Sequence, residues 1–401
     1  MDPALRRAFN ESFTEARHGE YLARLEAELG CHIPFRVAET PLFFPPEVRA
    51  RLEADARGIV EEICRPELIA RTRRAIPAHL DAPGEDDLAS CLQVDLAITR
   101  DASGAVRGEL VELQGFPSLY GLIVLQSRAL AEQLEQIGLG RGFSPFFGGL
   151  TEAEYVSRLR ATIVGDADPR EVVLLDLDPP SQKTYPDFVA TKRLIGVDAV
   201  CPTSLVKDGR ALYRVVDGAR VPVRRIFHRV VFDELEKKGV SLPFRYTDPL
   251  DVTWVPHPNW YWTWSKVTLP LLSHPAVPRA TLLSELDEVP RDLSRHVLKP
   301  LFSFAGAGVK VDVTRADVDA VPDAERAGWV LQEKIDYAPA LHTPRGEPVK
   351  AEVRMMFLRP PGAARPELVM NLVRLSRGKM LGVDQNRDLD WVGGTVGLSV
   401  P

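Results

Sequence analysis

Lys299 stands just before a glycine-rich turn in His296-Val-Leu-Lys-Pro-Leu-Phe-Ser-Phe-Ala-Gly-Ala-Gly-Val-Lys-Val-Asp-Val313, which reads as strand, turn, strand. Gly306 and Gly308 lack Cβ, so the turn backbone can approach phosphate oxygens and offer them its N–H groups. Lys299 supplies a point charge beside it. The segment is not a Walker loop, since no Gly-Lys-Ser/Thr follows and no helix opens after the glycines. Glycine hairpins are also common as plain turns, so further residues must decide.

A second constellation lies near residue 100. Residues 92–99 and 107–114 read as two strands joined by Arg100-Asp-Ala-Ser-Gly-Ala-Val106. Glu112 and Gln114, two apart, project to one face. A turn centred on Ser103-Gly104 sets Asp95 opposite Glu112, with Cβ atoms about 4.5–5.5 Å apart. Three oxygen ligands of this kind suit Mg²⁺. The plainer alternative is a hairpin with solvated acids, although facing carboxylates repel unless a cation or donor intervenes.

Further along, Gly328-Trp-Val-Leu-Gln-Glu-Lys-Ile335 reads as a strand ending in polar residues, an edge able to present backbone groups to adenine. In Val349 to Leu358 the alternation puts Glu352 and Arg354 on one face and Val353, Met355 and Phe357 on the other. Arg354 suits a transferring phosphoryl oxygen. Leu368 to Arg374 repeats the strand pattern, and Arg374 and Arg377 add charge. Taken singly, each arginine also reads as a surface or ion-pair residue.

The elements that must position these groups follow from periodicity. Residues 1–30 and about 46–74 are helical, broken by Pro41-Leu-Phe-Phe-Pro-Pro, and Pro77 to Asp87 is a connection. A helix is predicted over 120–138. Val172 to Asp176 opens a βαβ unit with a helix over 184–195 and a strand at 198–202. Val221 to Phe232 reads as a strand, Trp254 to Trp264 as an aromatic connection, and Lys266 to Ser273 as a short helix. Arg224, Arg225, His228 and Arg229 are candidates to clamp a substrate carboxylate, with a structural role as the alternative. Trp260-Tyr-Trp-Thr-Trp264 reads as packing or as an amine pocket.

The 401 residues, 45% hydrophobic, are enough for two or three domains or one large α/β unit. A net charge of −6 with no basic block argues against nucleic acid and membrane partners. The N-terminus shows no apolar leader and no long apolar run occurs, which leads us to expect a cytoplasmic protein. Cys31, Cys64, Cys91 and Cys201 lie far apart and form no zinc or redox unit.

In order, these motifs resemble the circularly permuted ATP-grasp enzymes, in particular the synthetase domain of glutathionylspermidine synthetase. The resemblance rests on Lys266, Val297-Leu-Lys-Pro300, Phe304-Ala-Gly-Ala-Gly308, Val330-Leu-Gln-Glu-Lys-Ile335 and a carboxylate-x-amide pair preceding them all. It implies an α/β (α+β) ATP-grasp-like fold after an N-terminal helical segment. The expected divisions are 1–86 (helical), 87–165 (metal-site hairpin and helix), 166–260 (substrate side), 261–345 (ATP lid and hinge) and 346–401 (remaining core). It further implies that Lys266, Lys299 and the residues Phe304, Ala305, Gly306, Ala307 and Gly308 contact ATP phosphates. Gln332, Glu333, Lys334 and Ile335 would hold adenine and ribose, and Asp95, Glu112 and Gln114 would bind Mg²⁺. Gln114 stands where the family usually has asparagine, and Ser265 where asparagine commonly precedes the lysine. The implied activity is ATP-dependent joining of a small-molecule carboxylate and an amine through an acyl phosphate, with Lys299 and an arginine such as Arg354 catalytic; Arg224, Arg225, Arg229 and Arg374 are substrate candidates read from the residues themselves. A small-molecule kinase or a non-catalytic nucleotide-binding module are the alternatives.

Overall fold

A computed structural model describes residues 2–140, 142–302, 307–378, 386 and 388–399. Two helices open the chain, α1 (Pro3–Ser12) and α2 (Glu15–Leu29). Thr14 separates them: its hydroxyl accepts from the Arg17 N–H, and Gly30 ends α2 at a φ of 70°. A hydroxyl N-cap and a left-handed glycine C-cap are what a helix needs at its two unsatisfied ends. Next come β1 (Leu42–Phe44), α3 (Pro46–Ile63) and α4 (Pro66–Thr72), both helices begun by a proline whose missing N–H costs nothing there.

The hairpin β2 (Cys91–Arg100) and β3 (Val106–Gln114) turns at Gly104, where φ is 83°. Asp101 closes that turn by accepting from the N–H groups of Ser103 and Ala105. After α5 (Leu122–Gln136) and α6 (Glu152–Ile163) the chain builds β4 (Val172–Leu175), α7 (Tyr185–Ile195) and β5 (Asp198–Val200). The expected strand over Val221 to Phe232 is instead split. A small antiparallel sheet of β6 (Val206–Asp208), β7 (Ala211–Val216) and β8 (Ala219–Val223) ends there, and β9 (Arg225–His228) starts after Arg224 in a different sheet. From Phe232 the chain is already helical, in α8 (Phe232–Lys238), because Asp233 and Glu234 favour a helix start over a strand.

β10 (Thr253–Val255), the helical turn α9 (Trp260–Thr263) and a 3-10 segment at Lys266–Leu271 lead to β11 (Ala280–Leu282) and β12 (His296–Pro300). Then come α10 (Arg315–Asp319), β13 (Trp329–Glu333), β14 (Leu341–His342), β15 (Pro348–Leu358), β16 (Glu367–Ser376), β17 (Gly393–Thr395) and β18 (Gly397–Ser399).

Three sheets organise the functional residues. The largest runs β17-β16-β15-β2-β3, with β14 on β15; β2 and β15 are central and buried on both faces. A parallel sheet runs β10-β9-β4-β5, and an antiparallel one runs β11-β13-β12. The large sheet lies in one hydrophobic cluster that also takes Val172, Leu174 and Phe227 from one face of the parallel sheet; Val173, Leu175 and Ile226 from its other face lie in a second, and Leu298 and Leu331 of the antiparallel sheet in a third. The N-terminal helices belong to the first cluster, in which Phe9 and Phe13 pack on Trp391 and β1 pairs with β18. Chain ends far apart in sequence thus share one core. The described residues contain no helix long and apolar enough to cross a membrane, and all four cysteines are free thiols.

Candidate functional site

The polar face of the large sheet carries the expected acids and arginines. Pairing of β2 with β3 sets Asp95 opposite Glu112 and Gln93 opposite Gln114, and pairing of β2 with β15 sets Arg354 opposite Asp95 on the other side. β16 adds Arg374, opposite Glu352. A bulge breaks the register after Asp95, so that Glu112 and Leu110 face consecutive residues of β2 and Val111 is left over. Its carbonyl accepts from the Lys299 ammonium at 3.2 Å. Bulges commonly re-aim one residue in this way.

Asp95 is not exposed at all, and both its oxygens are taken. Arg354 donates through Nε and Nη2 to the two oxygens, each at 2.7 Å, and Arg374 donates to Oδ2 at 2.5 Å. Arg374 also donates to Glu352 at 2.6 Å, and the Tyr337 hydroxyl donates to the same carboxylate. Burial alone would raise the Asp95 carboxyl, but the Arg354 and Arg374 guanidiniums outweigh it and hold the group below its ordinary range. Burial pushes the Glu352 carboxyl up, only partly offset by Arg374. Burial would lower Arg374, and Glu352, Asp95 and Glu112 together hold it above its ordinary value.

The two lysines reach the same place from elsewhere. Lys266, at the start of the 3-10 segment, lies 3.9 Å from Glu112. Lys299 reaches across from β12, and its ammonium also donates to Gln332 Oε1 at 2.7 Å. Burial pushes the Lys299 ammonium down to about 8; Glu112 and Glu352 raise it and Lys266 lowers it further. Gly115, next to Gln114, presses on the Trp260 carbonyl where a Cβ could not fit, and its N–H donates to Trp264 O at 2.7 Å. The aromatic run therefore braces the end of β3, with the Trp260 and Trp264 rings 4.4 Å apart.

Several residues sit differently from their expected places. Gln332 is fully buried, its amide bonding Lys299 and the Leu110 carbonyl, and does not face outward toward a base. β13 is the central strand of its sheet, so the backbone N–H groups of Glu333 and Lys334 are already given to Arg279 and Arg295 carbonyls. The Glu333 and Lys334 side chains are exposed and Ile335 is half-buried. Phe304, Ala305 and Gly306 lie outside the described residues; Ala307 is exposed and Gly308 adopts a φ of 74°. After the turn, an isolated bridge between Leu298 and Lys310 takes the place of a second strand.

The arginines assigned to a substrate clamp diverge. Arg224 is exposed beside Glu171, Arg225 donates to the Thr162 and Ile163 carbonyls at the end of α6, and Arg229 is buried against Asp187 at 2.6 Å. They bond different elements because Arg224 precedes β9, Arg225 opens it and Arg229 follows its last residue, which sets Arg224 and Arg225 at one end of that strand and Arg229 at the other. Asp187 in turn accepts from the N–H groups of Leu119, Gly121 and Leu122, satisfying the first turn of α5.

The sequence reading missed three acids and a phenol. Glu352 was placed on a face but given no role, and its alternation with Arg354 was the available signal. Tyr337 gave none. Asp187 caps a helix distant in sequence. Asp176 follows the buried strand β4, and the described residues give its side chain only the Leu177 N–H, at 2.8 Å. β4 lies between β5 and β9, so Asp176 stands at the carboxyl ends of parallel strands where the strand order reverses, a common ligand position. Burial pushes its carboxyl up to about 7, with Arg229 opposing. A cavity of about 610 Å³ lies elsewhere, lined by Arg6, Asn10, Arg100 and His342, and holds none of the residues read as functional.

The donor set suits a polyanion better than a divalent cation. Lys266, Lys299, Arg354 and Arg374 gather around the acidic edge, and the buried Nε of Arg374 has no acceptor among the described residues. As a magnesium ligand, Asp95 does not fit: both oxygens belong to guanidiniums. Glu112 receives the Gln114 amide at 2.7 Å, and the described residues hold no cluster of three acid, histidine or cysteine ligands. Asp95 anchors arginines instead.

No protein-family model matches the chain, and no curated protein does. Among solved structures it is similar to a glutathione synthetase-like effector from Globodera pallida, in its apo form, at 12% identity. The likeness covers 99% of this chain and 98% of the other, with a TM-score of 0.58. At that identity the likeness speaks to architecture, and the chain has a mixed α/β, glutathione synthetase-like fold.

Proposed function

We propose that the chain is an ATP-dependent carboxylate–amine ligase of the ATP-grasp type, with the motifs in circularly permuted order. The observation that carries this reading is the meeting of Lys266 and Lys299, from two different elements, at the edge formed by Glu112 and Val111. An antiparallel sheet holding one lysine over a larger sheet holding acids and arginines is an arrangement suited to gripping a polyphosphate between them. The full-length likeness to a glutathione synthetase-like structure supports the ligase class.

Lys266, Lys299, Arg374 and the Ala307-Gly308 turn would hold the ATP phosphates. When bound, ATP would supply the phosphoryl group that activates a substrate carboxylate for displacement by an amine. At neutral pH Lys299 is mostly charged, because its ammonium titrates near 8. Arg354, fixed by its fork to Asp95, would present a preoriented positive charge to oxygens that gain charge during transfer. Phe302 packs on Trp262 at 4.9 Å and ties the glycine turn to the aromatic run, which would help exclude water. The acids at this edge, engaged by guanidiniums and an amide, do not fit magnesium.

A second reading, a nucleotide-binding module without turnover, is favoured by the engagement of Asp95 with two guanidiniums. ADP and phosphate release from ATP, with pooled carboxylates in the presence and absence of pooled amines, separates the two. Release requiring both pools and abolished in Lys299→Met supports the ligase. A stable phosphorylated product formed without amine would indicate a kinase, and ATP binding without release would leave the binding module.

A further inference from the structure

We infer that this chain binds the ATP phosphates without help from a divalent cation, its own guanidinium and ammonium groups meeting the charge. The inference rests on the nucleotide reading above and concerns only what neutralises the ligand. A carboxylate that ligates a metal must offer a lone pair toward the bound phosphates. Asp95 has one acceptor position left of about four: Arg354 donates to both oxygens at 2.7 Å and Arg374 adds a third donor on Oδ2 at 2.5 Å, so an ion on Oδ1 would lie against the Arg354 guanidinium. Glu352 is divided between Arg374 and the Tyr337 hydroxyl. Glu112 already receives the Gln114 amide, and Lys266 lies 3.9 Å from its other oxygen. Among the described residues, a cation entering here would have to displace guanidinium donors from Asp95 and Glu352 and the Gln114 amide from Glu112, and would then lie beside Arg354, Arg374 and Lys266.

The same geometry serves an anion directly. Among the described residues the buried Nε of Arg374 lacks an acceptor, and the Arg354 hydrogen bonds to Asp95 run through Nε and Nη2. A buried N–H without a partner is costly, and a phosphate oxygen would relieve that cost. Guanidiniums bind phosphate through paired, charge-assisted hydrogen bonds, a role that a metal fills in sites where acids stand free.

Calorimetric titration of the full chain with ATP, once in excess EDTA and once in excess Mg²⁺, tests this. The expected result is a dissociation constant in EDTA within about fivefold of that in Mg²⁺. A larger loss in EDTA overturns the inference and leaves the nucleotide reading standing. Absence of ATP binding in both buffers overturns the nucleotide reading and the inference with it. In parallel, Mn²⁺ added alone and followed by electron paramagnetic resonance should stay free. Bound Mn²⁺ that is released in Glu112→Gln would also overturn the inference.

Discussion

Asp95 and Asp176 are both buried aspartates at the ends or centres of strands, yet their surroundings make them opposite groups. Asp95 lies in the middle of the large sheet with three guanidinium hydrogen bonds, and its carboxyl is held below the usual range. Asp176 lies at the carboxyl end of β4 with one backbone N–H, and burial pushes its carboxyl up to about 7. The nearby cation, Arg229, is committed to Asp187. Burial by itself therefore says little about charge; the partners decide whether a buried acid is a fixed anion or a group that titrates near neutrality.

Removing the fixed anion should have the largest effect. Asp95→Ala leaves Arg354 and part of Arg374 without their counter-charge, and unfolding by denaturant should show a loss of about 3–5 kcal/mol. A loss under about 1 kcal/mol would mean that the guanidiniums find other partners.

Asp176→Asn should act in the opposite direction. The folded-state value lies above the ordinary 3.8, so the folded protein holds the proton more tightly between about pH 4 and 7 and loses stability as pH rises through that window. The variant should gain on the order of 2 kcal/mol at about pH 8 and almost nothing at about pH 4. A gain that does not change with pH would remove the contrast with Asp95.

Lys299 extends the comparison to a buried cation. If ATP requires its charged form, the titration near 8 predicts binding about tenfold weaker at about pH 9 than at about pH 7. Lys299→Arg should flatten that profile, because guanidinium does not titrate in the range. The same slope in both proteins would assign the dependence elsewhere. The smallest effect belongs to an exposed pair: Arg224→Ala, which loses only its contact with Glu171, should change stability by about 0.5 kcal/mol or less.

Alternation and turn chemistry were enough to read the β2–β3 hairpin from the sequence, because a two-residue period and a turn at Gly104 set its register locally, but that register alone (Arg100 with Val106, Leu96 with Leu110) leads to Val111 opposite Asp95, and the bulge is what brings Glu112 there. The helices at α5 and α7 and the strands β4, β15 and β16 followed from periodicity for the same reason. The break of Val221 to Phe232 into β8, β9 and α8 was hidden, since both strands are short and apolar and only their sheet partners separate them. β13 looked like an edge because nothing in its residues states that two strands, both earlier in the chain, will flank it.

The chemistry divided along the same line. The residue types by themselves determined that acids, lysines and arginines of a phosphate-handling kind were present and which faces of their strands they occupied. Only the tertiary structure decided their partners. Asp95 meets Arg354 and Arg374 across more than 250 positions of chain, Lys299 meets Val111 through a bulge, and Arg229 is claimed by Asp187 before it can serve Asp176. Local sequence sets direction and alternation, but hydrogen bonds of about 3 Å depend on register between distant strands, which no neighbouring residue encodes.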